Sequence, residues 1–348
     1  MHIRIVSPDI YTYGAMVIGG VLRDHGYSVE INRTLEAGED DTVLLSLYST
    51  MHLLDERVQH FVRNHHAAGG ICYVGGPVSA YPEMILGELP VDAVILGEGE
   101  DTVLRVLQEG VNGEIPGIAY REDDGLHISP PDHIPSVEHP LPLIPKDIDS
   151  QSVRGANVYI ETHRGCIGSC TFCQVPRFFG RQIRSRSIDA ILREVREFKK
   201  CGAKRVAISG GTGSLYQYRD GRMDTGAFVR LLEGIAGIMG PRNVSAPDIR
   251  VDCINDEILE AIRKYTIGWL FFGIESGSDR VLRDMGKGVT SRQAADAIEE
   301  CRGHGLKVAG SFIVGYPTET EKEFEETKEF IASECLDDVF ISIAEPIP

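Results

Sequence analysis

At 348 residues the chain has room for about two domains and for a core that needs no disulfide staples. Hydrophobic residues at 42% and charged residues at 25% are ordinary for a globular chain and exclude a disordered one. The 35 basic and 52 acidic side chains leave a net charge of −17, a surface that repels phosphate backbones and argues against a nucleic-acid partner. No apolar run approaches the ~18 residues that cross a bilayer, and Met1–Val6 reads as a strand rather than a secretory leader. A cytoplasmic protein without a membrane partner is expected.

Residues 1–110 alternate short apolar runs with helical patterns. Strands are expected at Ile3–Val6, Ser28–Ile31, Val43–Leu47, Ile71–Val74 and Ala93–Leu96. Leu54, Val58, Phe61 and Val62 share one helical face, which Gly69-Gly70 ends. This alternation predicts a doubly wound, Rossmann-like α/β sheet with ligands at the carboxyl ends of its strands. Residues 111–152 read as a connector: a hairpin over 117–128 turning at Asp124-Gly125, then a stiff stretch with Pro130, Pro131, Pro135, Pro140, Pro142 and Pro145.

Residues 153–348 alternate again. Strands are expected at Asn157–Glu161, Arg205–Ser209, Ile249–Asp252, Trp269–Glu275, Lys307–Val314 and Asp338–Ile343. Ile188, Ile191, Leu192 and Val195 mark one helix. Ala294, Ala297, Ile298 and Cys301 mark another, opened by a Thr290/Gln293 capping box. Six βα repeats predict a partial (β/α)6 barrel with its chemistry at the carboxyl-end rim, and since the sequence stops just after the sixth strand, a sixth helix or a further domain beyond Pro348 is expected.

Five of the eight cysteines are scattered, at 72, 201, 253, 301 and 335. Cys166, Cys170 and Cys173 crowd together directly after the first strand of the second half. Thiolates are soft ligands for zinc or iron–sulfur clusters. Structural zinc takes four ligands, and no fourth stands at a finger-like spacing, so a zinc site would need His163. Three thiolates can instead hold three irons of a [4Fe–4S] cluster and leave the fourth open. Three core cysteines without metal are the plain alternative.

Cys166, Cys170, Phe172 and Cys173 make a C-x3-C-x-aromatic-C pattern, and here the chain resembles the radical S-adenosylmethionine superfamily. The resemblance implies that the open iron chelates the amino and carboxylate groups of S-adenosylmethionine, with Phe172 near the adenine. Ser209-Gly210-Gly211-Thr212 stands where the family has Gly-Gly-Glu, with Thr212 in place of the acid. Gly273–Ser278 resembles the fourth-strand motif, which implies that Glu275 and Ser276 meet the ribose or amino group. Ile313–Thr320, holding Pro317, resembles the adenine-side motif of the fifth strand. Arg177, Arg181, Arg184 and Arg186 form a basic run that either receives an anionic group or is simply solvated.

The first half resembles the cobalamin-binding domain that precedes many of these enzymes. Ser49, Gly75-Gly76-Pro77 and Gly97-Glu98-Gly99 carry that resemblance's cofactor contacts, with the 7–13 and 47–52 loops facing the corrin. No Asp-x-His-x-x-Gly signature supplies a cobalt ligand, which leaves His52 or a nearby tyrosine as the group within reach. A degenerate domain that binds nothing is the alternative.

Together the two resemblances imply methylation of an unactivated carbon. A 5′-deoxyadenosyl radical removes hydrogen, methylcobalamin gives the methyl group, and a ferredoxin or flavodoxin gives the electron. Non-methylating cyclisation with the same cofactors and a non-catalytic cobalamin or redox sensor are the other readings. A tRNA methylthiotransferase of this superfamily would carry three further cluster cysteines in its first domain, where this chain has only Cys72.

Overall fold

The computed structural model describes residues 2–123, 125–132, 134 and 136–344. Asp124 of the expected turn, Pro135 and residues 345–348 lie outside the described residues. The chain divides into two compact units, Met1–Val153 and Arg154–Pro348.

The first unit is one seven-stranded sheet. Its strands are β1 (His2–Val6), β2 (Ser28–Asn32), β3 (Asp41–Ser46), β4 (Ile71–Gly75), β5 (Ala93–Ile95), β6 (Ile118–Glu122) and β7 (Gly125–Ser129), in the order β2-β1-β3-β4-β5-β6-β7. The first five are parallel, and the β6–β7 hairpin extends the sheet antiparallel beyond β5. Ile118 and Ala119 of that hairpin are fully buried, so the first unit runs on to Val153 and takes in the segment read from sequence as a connector.

Alternation along the strands builds a core on each face of the sheet. Val43 and Leu45 pack with Val58, Val62 and Ile85 on one side, and Leu44 with Ala15, Leu22 and Val103 on the other. Leu54 does not share the face of Val58 and Val62. It ends a separate short helix, Met51–Leu54, and is exposed, because Asp55 turns extended and caps the next helix, Glu56–Ala67, through the Arg57 N–H.

The second unit is a partial barrel of six strands, of which the first five are followed by helices among the described residues. Its parallel strands are β8 (Val158–Glu161), β11 (Val206–Ser209), the pair β12 (Val244–Ser245) and β13 (Asp248–Ile249), β14 (Trp269–Glu275), β15 (Lys307–Val314) and β16 (Asp338–Ile343). Two short strands, β9 (His163–Arg164) and β10 (Arg184–Ser185), pair antiparallel between β8 and β11. The third barrel strand starts earlier than the sequence predicts and is broken at Ala246-Pro247, where proline offers no N–H to the ladder.

Helix starts are specified by side chains. Asp224 accepts from the Ala227 N–H (2.8 Å), Asn255 from the Ile258 N–H (2.9 Å), and Thr290 forms its capping box with Gln293. No helix among the described residues is long and apolar enough to cross a membrane.

Candidate functional site

The three crowded cysteines lie on the loop between β9 and β10, and pairing of those strands closes the loop at its base. Gly165 takes φ +92°, and a Cβ there would strike the Gln182 carbonyl oxygen. The Cys166 N–H donates to the Gly180 oxygen (3.3 Å) and the Cys173 N–H to the Cys170 oxygen (3.2 Å). Cys166 is buried, while Cys170 and Cys173 are half-buried. A Cβ added to Gly168 would lie 3.4 Å from Cys166 Sγ and 3.8 Å from Cys170 Sγ, so the glycine leaves a hollow between the two sulfurs.

Among the described residues no three His, Cys, Asp or Glu side chains gather closely enough to hold one metal ion. A lone zinc, with Zn–S bonds near ~2.3 Å, needs that tight gathering. Three thiols on one short loop, two of them beside the Gly168 hollow, with no fourth ligand gathered among the described residues, fit the anchors of a cluster with one open iron. His163 does not complete a zinc set. Its ring lies under Gly210, whose φ is +156° and whose Cβ would overlap it, and its Nδ1 stands 3.0 Å from the Thr162 hydroxyl. Burial pushes the His163 imidazole down to about 4, so it is neutral at pH 7.

The loop is pinned from a distance. Thr171 donates its N–H to the Met285 oxygen (2.9 Å), and its hydroxyl lies 2.8 Å from that of Tyr316. Gly286 makes this approach possible, since a Cβ there would come within 2.7 Å of the Ser169 oxygen. Gly211 packs on the loop from the other side, with room for a Cβ closed by Cys166 Cβ and the Gly165 oxygen, both at 3.0 Å. Thr212 is buried and fixes the turn through its carbonyl, which accepts from the Leu215 N–H (2.9 Å).

Two cations border the sulfurs. Arg250 is clamped by both Asp252 oxygens (2.8 Å each) and by the Lys287 carbonyl (3.1 Å), and its Nη1 lies 3.2 Å from where a Gly168 Cβ would be. Lys287 Nζ is buried 3.0 Å from Glu275 Oε1 and 6.0 Å from the Phe172 ring centroid. Burial, then the neighbouring thiols, raise the Cys173 thiol pKa, against the Val175 N–H and Lys287. Glu275 sits at φ +76° after a register shift in β14, and Gly273 leaves the space that the Lys287–Glu275 pair fills.

The remaining expected S-adenosylmethionine contacts fall in different settings. Ser276 is fully buried, 3.1 Å from the Thr327 hydroxyl, and accepts from the Ser278 N–H (3.1 Å), which ties β14 to the helix Glu321–Ser333. Pro317 is exposed in the turn beside Tyr316. The basic run holds its own loop. Arg177 donates to the Thr171 oxygen (3.1 Å), Arg181 to Ile167 (2.9 Å) and Arg184 to Phe179 (2.9 Å). Arg186 is fully buried against Glu194 (2.7 Å). Sequence reasoning missed Lys287, Arg250 and Tyr316. The available signal was a lysine between two glycines, Gly286 and Gly288, both with positive φ.

In the first unit the expected contacts line the carboxyl ends of the strands. Ser49 accepts from the Met51 N–H (3.2 Å). A Cβ on Gly75 would find only ordinary contact with Ile95 at 3.9 Å, whereas Gly76, at φ +91°, would bring one within 2.6 Å of the Leu47 oxygen. Pro77 is exposed at the start of a 3-10 turn. Gly97 packs on Pro131, Glu98 is buried and accepts from the Ile134 N–H (3.0 Å), and Gly99 precedes the helix Glu100–Glu109. His52 is buried rather than solvated, edge-on to Tyr48 and 3.5 Å from Asp9 through Nε2. Beside it Tyr48, Met51 and Leu54 are 38%, 62% and 65% exposed, an apolar patch after β3.

A doubly wound α/β unit followed by a partial barrel, with three thiols on the loop after the barrel's first strand, defines the class of iron–sulfur enzymes that act on S-adenosylmethionine. The family model of the Radical SAM superfamily matches residues 160–331. A protein of Methanocaldococcus jannaschii, provisionally named a methylthiotransferase, is 52% identical over 354 residues, covering 100% of this chain and 78% of its own. An uncharacterized methyltransferase of Pyrococcus horikoshii is 30% identical over 287 residues, covering 79% of this chain and 60% of its own. The chain belongs to the radical S-adenosylmethionine superfamily, whose domain implies a [4Fe–4S] cluster and S-adenosylmethionine.

Solved structures share the fold at low identity. The radical S-adenosylmethionine methyltransferase TsrM of Kitasatospora setae, with cobalamin and a [4Fe–4S] cluster bound, superposes with a TM-score of 0.78 at 13% identity, over 100% of this chain and 76% of its own. The cobalamin-dependent radical enzyme OxsB, with aqua-cobalamin and S-adenosylmethionine bound, gives 0.74 at 20%, over 94% of this chain and 51% of its own.

Proposed function

We propose that this protein is a cobalamin-dependent radical S-adenosylmethionine C-methyltransferase that methylates an unactivated sp3 carbon. The observation that carries the reading is the first unit's exposed apolar patch, Tyr48, Met51 and Leu54, at the carboxyl ends of a doubly wound sheet beside Gly75-Gly76-Pro77. An apolar patch rimmed by small residues at strand ends is a setting for a large, flat cofactor such as a corrin. Residues 165–176 and the Ser209–Ser214 turn resemble the methyl-coenzyme M reductase glutamine C-methyltransferase of methanogenic archaea, and on that resemblance the proposed substrate is the α-carbon of a glutamine in the α subunit of methyl-coenzyme M reductase, a post-translational modification serving methanogenesis. Ferredoxin or flavodoxin is the proposed electron donor.

When bound, the cluster, S-adenosylmethionine and methylcobalamin supply radical and methyl chemistry that no side chain has. The chain supplies the hold. Cys166, Cys170 and Cys173 anchor three irons, and Arg250 and Lys287 place positive charge beside them. Lys287 and Glu275 together offer an ammonium and a carboxylate to the amino-acid end of S-adenosylmethionine. Phe172, Gly210 and Gly211 offer a ring and a bare backbone to the rest of it, and His52 is held by Asp9.

Methylthio transfer is the second reading, favoured by the name of the Methanocaldococcus relative and by a tRNA-2-methylthio-N(6)-dimethylallyladenosine synthase of Acidithiobacillus ferrooxidans, 31% identical over 233 residues. Cys72 weighs against it. It is the single cysteine of the first unit, and burial in β4 pushes its thiol above the ordinary range.

Anaerobic turnover of the target peptide with methyl-labelled S-adenosylmethionine, read by mass spectrometry, decides between these readings. A gain of CH2 with release of 5′-deoxyadenosine supports the proposal. A gain of CH2S supports methylthio transfer. 5′-Deoxyadenosine with no added carbon means cyclisation, and none at all means a sensor.

A further inference from the structure

Charge is unevenly shared along this chain. Its net charge is −17, yet residues 162–188, which carry the cysteine loop, hold Arg164, Arg177, Arg181, Arg184 and Arg186 and no Asp or Glu. Two of these guanidiniums are paired from outside the stretch, Arg164 with Glu161 (3.0 Å) and Arg186 with Glu194 (2.7 Å). Arg177 and Arg181 differ. Both are exposed, and neither joins an ion pair among the described residues.

Each is tethered through one of its nitrogens. Arg177 donates to the Thr171 oxygen, next to Cys170, and Arg181 to the Ile167 oxygen, next to Cys166. A guanidinium carries five N–H donors, so both keep most of theirs in water. The tethers hold two positive charges in place beside the sulfur anchors, and a side chain already held loses less freedom when a partner arrives. Arg184, half-buried and bound to the Phe179 oxygen (2.9 Å), adds its charge to the same loop. A fixed positive patch on an otherwise acidic protein attracts and orients an acidic partner. This patch lies on the loop that holds the thiols.

We propose that Arg177 and Arg181 form the docking surface for an acidic one-electron carrier protein, which reduces the cluster through this loop. One electron leaves the reduced carrier and enters the oxidised cluster, and no bond is made or broken. The inference rests on the cluster of the reading above and not on methylation as the reaction.

The full-length protein, reconstituted with its cluster, is mixed anaerobically with reduced flavodoxin or with reduced ferredoxin, and electron exchange is followed by stopped-flow absorbance. Raising the ionic strength from about 0.01 M to about 0.15 M shortens the screening length from ~30 Å to ~8 Å, and is expected to slow at least one carrier about tenfold or more. Arg177→Gln with Arg181→Gln is expected to slow that carrier about tenfold at low salt and to flatten its salt dependence. Arg177→Lys with Arg181→Lys keeps both charges and should keep the rate. Lys200→Gln with Lys264→Gln removes two exposed charges from the far ends of the helices Ile188–Lys200 and Asp256–Tyr265, and should match the native protein. Reduced methyl viologen, a small cation that needs no docking, is expected to reduce every variant at the native rate or faster. Arginines that only balanced the charge of the cluster would slow both kinds of reductant. Should the glutamine variant lose iron, the salt dependence of the native protein decides. Salt-independent rates with both carriers, native rates in an iron-loaded glutamine variant, or slowing shared by methyl viologen overturns the proposal. So does arginine-dependent binding of bulk tRNA with both carriers indifferent. Failure of the native chain to take up iron would overturn the cluster itself, and this docking surface with it.

Discussion

Lys287 donates to Glu275 across 3.0 Å at the mouth of the barrel, with both side chains buried, and Glu275 reaches the pair from left-handed backbone. Removing one partner strands the other charge away from water. Lys287→Met or Glu275→Gln alone is expected to destabilise the chain by about 3–5 kcal/mol, and the double variant by much less than the sum. Urea unfolding of the three variants measures this. Strict additivity would mean that the two charges are not coupled.

His163 gives the second unit a pH dependence of known sign. An unfolded imidazole takes up its proton near ~6.5, whereas the buried one takes it up only at about 4. Between those values the unfolded chain binds more protons, so stability falls as pH falls. The contribution is complete above about pH 6.5 and declines by up to about 3 kcal/mol as pH drops through the folded value. Denaturation midpoints from pH 7 to pH 4.5 should show a steeper decline for the native chain than for His163→Leu. Parallel curves would sink the assignment.

Much of this site was legible because its signals are local. Cys166, Cys170 and Cys173 announce themselves by spacing, and Thr290 with Gln293 by the capping pattern. What escaped is non-local. Arg250 and Lys287 approach the sulfurs from loops far along the chain, and no periodicity marks that approach. Ser276 lies in a motif read as a cofactor contact, yet it is fully buried beside Thr327, a partner 51 residues away. The third barrel strand lies earlier than expected because Ile249–Asp252 alternates apolar and charged residues as a half-buried strand does, while Pro247 breaks the real one before it. The arginine run at 177–186 illustrates a general ambiguity: composition cannot tell guanidiniums that await an anion from guanidiniums that hold loop carbonyls.

Gly165 is the hinge on which the cysteine loop depends. It combines a left-handed backbone with a close approach to Gln182, so Gly165→Ala suffers twice. The variant is expected to retain a cooperative melt, lowered by about 1–3 kcal/mol, and to lose most of its iron after anaerobic reconstitution. Gly303→Ala, at a site with open space for a Cβ, is the control and should keep both. Iron analysis and the visible absorbance of the two proteins check this. Full iron loading of Gly165→Ala would show that the loop tolerates a different path.

The apolar patch after β3 separates cofactor binding from folding. Met51 and Leu54 are 62% and 65% exposed, so replacing both with glutamine removes little from the core and should shift stability by no more than about 0.5 kcal/mol per site. If a corrin covers them, their loss removes apolar contact of about 1.5–3 kcal/mol per fully covered side chain, an upper bound for partly covered ones. The double variant is therefore expected to bind hydroxocobalamin at least about tenfold more weakly in equilibrium dialysis, with iron content and melting unchanged. Equal affinity in the two proteins would remove the patch from the cobalamin site. A large loss of stability would show instead that the patch serves the fold.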